Sequence, residues 1–198
     1  FTVTGHSLGG YLAASLLYDQ PRVVEHAYLF NAPGQGGVVA STLNALLQAA
    51  TGQDRQLSLD LTRVTNIRAA DGLSPIAGLG LAWGSPVLVG VEDQHSPDVD
   101  QPAAARNHSQ RVLTDALAVY DLFARVDDSI TPAAMRDLLG ASSGRVSTTL
   151  EEAVASLSSV FLTDRRSVGR ESRDELYAAI DAVSAAVDAG HARGEAYS

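Results

Sequence analysis

The chain has 198 residues, 45% of them apolar, and no cysteine; 14 Lys and Arg against 23 Asp and Glu leave a net charge of −9. That charge repels phosphate backbones and anionic membrane surfaces, which argues against nucleic acid as a partner. The lack of cysteine removes disulfide frameworks and thiolate metal sites but leaves the redox compartment open.

In chain order, Thr2 to Thr4 read as the end of a β-strand already under way at Phe1, which predicts a piece of a longer polypeptide with any targeting signal upstream. Leu8 to Asp19 carry Leu8, Leu12, Ala13, Leu16 and Leu17 at helical spacing. Ala27 to Phe30 form a short buried strand, and residues 38–50 an amphipathic helix. RVTNIRAAD is a strand candidate ending at Asp71, and SPVLVGVED another ending near Val91. Between them, the uncharged stretch Gly72 to Val91 has the length of a membrane span, but its glycines with Pro75 and Pro86 would break such a helix. It reads as a loop leading into a strand, with no transmembrane segment.

An acidic loop then leads to a strongly periodic helix from about His108 to Val126. Strands alternating with helices predict the α/β class, a mostly parallel sheet flanked by helices over residues 1–128. From Ile130 onward only helices are expected: Thr131 with Pro132 makes an N-cap and first-turn pair, Thr148 with Glu151 fits a capping box, and Arg173 to Ala189 carries one apolar face. Residues 129–198 are therefore expected to be an all-helical extension or connector.

The strand-to-helix turn holds GHSLG (Gly5 to Gly9), a G-x-S-x-G nucleophile elbow. Such a turn strains the serine backbone, and side chains at the flanking positions would collide with strand and helix. The helix N-terminus brings free N–H groups, so the Leu8 N–H is placed to donate to the oxyanion formed when Ser7 attacks a carbonyl. The bland alternative is a βα turn with a serine N-cap.

GHSLGGYLA resembles the elbow of class 3 lipases in the α/β-hydrolase superfamily. FNAPG, the Asp71 loop and NHSQRVLTDAL are similar to lipase-like domains of large bacterial exported proteins over about residues 1 to 126, with weaker similarity through the helical tail. The resemblance implies the C-terminal half of an α/β-hydrolase fold whose second oxyanion donor lies upstream, and export from a bacterium. It also implies that His6 is a common lipase residue beside the nucleophile, a structural or substrate-binding position.

An imidazole is the natural base for a serine at neutral pH. Of five histidines, His95 and His108 lie on the loop after the last strand, and His108 adjoins the long helix, where Asn107 or Ser109 can cap it; His108 is favoured. His26 and His191 read as solvated or packed. Asp71, at the carboxyl end of a strand and between serine and histidine in order, is the expected acid; Asp60 lies at the wrong end of that strand. Asp93, Asp98 and Asp100 share an acidic loop with Glu92 that lacks EF-hand spacing, so no metal or other cofactor is expected there.

The expected function is hydrolysis of carboxylic esters, lipid esters first, by Ser7, His108 and Asp71 with Leu8 at the oxyanion. Leu73 to Val91, with Trp83, would line an acyl pocket or touch a lipid surface, or else be ordinary core. Acyl transfer or thioester hydrolysis by the same triad, and a noncatalytic scaffold within an exported protein, are the alternatives. Separated from the remainder of the parent polypeptide, residues 1–198 are expected to aggregate and be nearly inactive, because the elbow strand would expose an unpaired edge.

Overall fold

The computed structural model describes residues 1–34, 41, 42, 45, 48, 49, 59–70, 81–92, 103–140, 149–163, 168, 169 and 172–197. They belong to two compact units, one comprising Phe1–Val89 and Gln101–Gln110, the other Gly90–Asp100 and Arg111–Ser198. This division differs from the break expected at residue 128. The helix Gln110–Val126 falls mainly in the second unit, where Asp115 pairs with Arg173 and the Arg125 carbonyl bonds His191 near the C-terminus.

The first unit is an α/β layer. Strands β1 (Thr2–His6), β2 (His26–Phe30), β3 (Val64–Ala69) and β4 (Val87–Val89) form one parallel sheet in the order β1-β2-β3-β4. The register sets His6 opposite Phe30, Phe30 opposite Ile67, and Ile67 opposite Val87, which brings the carboxyl ends of the first three strands to one rim. Ser41, Thr42, Ala45, Gln48 and Ala49 are helical, within the helix expected over residues 38–50. Asp60 caps the 3-10 turn Leu61–Arg63 ahead of β3, accepting from the Thr62 N–H at 3.1 Å.

Helix α1 (Leu8–Asp19) packs on β1 and β2, burying Ala13 and Leu17 of the expected apolar positions but turning Leu8, Leu12 and Leu16 outward. Tyr11, Ala14 and Leu17 are buried, whereas Leu8, Leu12 and Leu16 are 46%, 48% and 41% exposed. Close approach explains the choice, because Gly10 and Ala14 let the helix backbone settle near the sheet and the bulkier i, i+4, i+8 leucines point away. Arg63 secures the return from α1 to β2 by donating to the carbonyls of Pro21, Val24 and Glu25.

Five helical segments follow in the chain: α2 (Ala103–His108), α3 (Gln110–Val126), α4 (Pro132–Gly140), α5 (Thr149–Phe161) and α6 (Arg173–Ala192). The Thr131 cap forms as expected, its Oγ1 accepting the Ala134 N–H at 3.2 Å. At the start of α5 the Glu151 side chain pairs with Arg173, and Glu92 Oε1 accepts the Leu150 N–H at 2.7 Å; the expected capping box also needs Thr148. Thr148 lies outside the described residues. Among the described residues no helix is long and apolar enough to cross a membrane.

Candidate active site

Ser7 is the one residue between β1 and α1, and it holds φ 55° and ψ −127°. For a residue with a Cβ this backbone costs on the order of 1–3 kcal/mol, so neighbouring contacts must impose it. They are visible: the Ser7 N–H donates to the Phe30 carbonyl at 2.9 Å, continuing the β1–β2 pairing, and the Ser7 carbonyl accepts the Gly10 N–H at 2.9 Å.

The glycines make this crossing possible, though not at both expected positions. A Cβ on Gly5 would stand 2.1 Å from the Gly9 carbonyl oxygen, and one on Gly10 would stand 2.5 Å from the Ala32 Cβ. A Cβ on Gly9 would meet nothing within 4 Å. The tight positions are therefore Gly5 and Gly10, because it is the backbone of residue 9, not its side-chain position, that lies against the strand.

Although Ser7 occupies the N-cap position of α1, its hydroxyl makes no capping bond. It lies 2.8 Å from His108 Nε2 instead, across 101 residues of sequence. His108 is the last residue of α2, not the first of the long helix as expected; Ser109 separates α2 from α3, its N–H turned back to the Arg106 carbonyl at 2.9 Å. Burial of the ring, and secondarily the charge of His6, lower the His108 pKa from 6.5. Such a ring is neutral at physiological pH and can accept a hydroxyl proton through Nε2.

His6 Nε2 lies 2.7 Å from the His108 carbonyl oxygen, and the two rings stand 4.9 Å apart. His6 thus touches both the ring and the backbone of His108. Leu8 opens α1, where its N–H has no carbonyl within its own helix to bond. Asp71 lies outside the described residues; the sheet can be followed to Ala70, whose N–H donates to the Val89 carbonyl at 2.8 Å.

Trp83 is 1% exposed and packs beside Tyr11, and its indole N–H donates to the Pro33 carbonyl at 2.9 Å, as the core alternative of the sequence reading has it. His26 bonds Thr65 Oγ1 at 2.8 Å, and the exposed His191 bonds the carbonyls of Arg125 and Glu195. His95 and the acidic residues Asp93, Asp98 and Asp100 lie outside the described residues, and Glu92 caps α5.

Asn31 is the residue that the sequence did not single out. It follows β2 at φ 46°, is fully buried, donates through Nδ2 to the Asn107 carbonyl at 3.0 Å and accepts the Ala69 N–H through Oδ1 at 3.1 Å. An Asn just beyond a strand end, a residue type that tolerates left-handed φ, was the available signal. Compared with known proteins, the chain matches no protein-family model, no curated protein and no solved structure.

Proposed function

We propose that the chain carries the catalytic residues of a serine hydrolase acting on carboxylic esters, with lipid esters as the substrate class, in an α/β-hydrolase arrangement similar to class 3 lipases. The observation that carries this reading is the 2.8 Å approach of His108 Nε2 to the hydroxyl of Ser7 on a strained strand-to-helix turn. A serine held only to cap a helix would bond an N–H of the first turn, and this one does not.

In the proposed reaction the Ser7 Oγ–H proton passes to His108 Nε2 as Oγ bonds the acyl carbon. The carbonyl oxygen becomes an oxyanion beside the Leu8 N–H at the helix N-terminus. His108 returns the proton to the departing alcohol as the ester C–O bond breaks, leaving an acyl-serine. Water then adds to the acyl carbon, gives a proton to His108, and Ser7 leaves with it, releasing the carboxylic acid. Asp71 is assigned the remaining role, orienting His108 and balancing its charge. The half-exposed Leu8 beside the nucleophile favours an apolar acyl group.

A fluorophosphonate probe and a panel of p-nitrophenyl esters test the proposal. Labelling and ester hydrolysis are expected in the full-length parent polypeptide, here the wild type, and should vanish in its Ser7→Ala variant. Absence of both from the wild type would overturn the hydrolase reading in favour of a scaffold. Turnover that requires an alcohol or thiol acceptor would replace hydrolysis by acyl transfer.

A further inference from the structure

His108 ends a helix of only six residues, and the carbonyls at a helix end have no N–H further along the helix to bond. Two consecutive carbonyls here receive side chains from elsewhere in the unit. His6 Nε2 reaches the His108 carbonyl at 2.7 Å over a separation of 102 residues, and Asn31 Nδ2 reaches the Asn107 carbonyl at 3.0 Å over 76. A carbonyl only accepts, so His6 must carry its proton on Nε2.

The two donors are matched in the sheet. His6 ends β1 opposite Phe30, and Asn31 is the next residue after Phe30, so both stand at the carboxyl rim of neighbouring strands. The strand that delivers the nucleophile thus also delivers a donor to the backbone of the base. Asn31 is fixed in turn, its N–H donating to the Ile67 carbonyl at 2.9 Å and its Oδ1 holding the Ala69 N–H at the end of β3. Its buried amide therefore joins the ends of β2 and β3 to α2.

Resting on the hydrolase reading, we infer that His6 and Asn31 are positioning residues that grip two successive backbone carbonyls of α2 and thereby hold the His108 imidazole at hydrogen-bond distance from Ser7. Proton transfer is sensitive to such placement: a misplacement of about 1 Å can cost roughly 100-fold in rate. Two hydrogen bonds to the backbone fix the Cα of the base, while its ring Nε2 faces the Ser7 hydroxyl.

Four variants separate this role from general stability. His6→Ala removes one donor, and His6→Gln restores a donor at the position of Nε2. Asn31→Gly removes the other donor while tolerating the φ of 46°, and the double variant His6→Ala with Asn31→Gly tests coupling. His6→Ala and Asn31→Gly should each lower kcat for a soluble p-nitrophenyl ester by about 10- to 100-fold with little change in KM. His6→Gln should recover most of the loss, and the double variant should lose less than the product of the single losses, because both act on one segment.

The NMR titration of the His108 ring reads the grip independently of activity: a released, better hydrated imidazole in Asn31→Gly titrates closer to the ordinary histidine value. Wild-type kcat and an unchanged His108 titration in folded Asn31→Gly would overturn the inference, as would a loss in His6→Ala that His6→Gln does not restore. A wild type whose labelling survives Ser7→Ala would instead sink the hydrolase reading, and the NMR titration would still decide the grip.

Discussion

A Cβ on Gly5 would overlap backbone at 2.1 Å and one on Gly10 would overlap Ala32 at 2.5 Å, whereas one on Gly9 would sit in open space. Gly5→Ala and Gly10→Ala should therefore lose stability by about 1–3 kcal/mol or more, as overpacked positions do, while Gly9→Ala should be neutral or stabilising by up to about 1 kcal/mol. Urea unfolding of the three variants checks this ranking. The second residue-scale expectation concerns pH. Burial, reinforced by the His6 charge, holds the His108 pKa below 6.5, so the ring stays a free base to lower pH than an ordinary histidine. Fluorophosphonate labelling should be at full rate at neutral pH and fall only on acidification below that value; His6→Gln removes the like charge and should move this acid limb upward. A wild-type limb above 6.5 would contradict the assignment.

Among elements, the helices of the second unit are joined by a buried polar knot. Arg173 of α6 pairs with Asp115 of α3 at 2.7 Å and with Glu151 of α5, and the Tyr177 hydroxyl donates to Asp115 at 3.0 Å. Both carboxylates are almost completely buried. Arg173→Met would leave them facing one another without a cation, at a cost of about 3–5 kcal/mol. Arg173→Lys should recover only part, because an ammonium lacks the fork that serves two carboxylates. Urea unfolding followed by far-UV circular dichroism measures both. Burial first, then the Asp115 hydrogen bond and charge, push the Tyr177 hydroxyl up to about 12. A folded-state value raised above the ordinary tyrosine value of 10.0 means this stabilisation is intact below that pH and is lost as pH rises to about 12. Tyr177→Phe should flatten that part of the stability profile.

On the scale of the molecule, Ser7 and His108 come from opposite ends of the first unit's sequence, Ser7 after β1 and His108 at the end of α2. The site exists only while that unit is assembled. Trp83 is the single tryptophan and lies in the core of that same unit, so its fluorescence reports that core alone. In a denaturant series, Ser7 labelling and Trp83 fluorescence should therefore be lost together. Labelling that outlives the fluorescence change would show that the site does not depend on this core.

Local chemistry made much of this legible in the sequence. The glycine-flanked serine after a short run of β-formers marks the elbow, and alternating strand and helix periods mark a parallel α/β sheet, because both depend on neighbours a few residues apart. His108 is singled out by its place beside a helix; its Nε2 lies 2.8 Å from the Ser7 hydroxyl, and the helix that carries it ends there instead of beginning. Other features needed the tertiary structure. The outward leucines of α1, the burial of Trp83 and the tight fit at Gly10 depend on how closely helix and sheet approach. His6 and Asn31 bond backbone carbonyls, which every residue possesses, and they do so across 102 and 76 residues. Sequence by itself determined which local elements form and which residue types can do chemistry; only the fold decided which of them meet, because long-range hydrogen bonds and close packing leave no periodic trace along the chain.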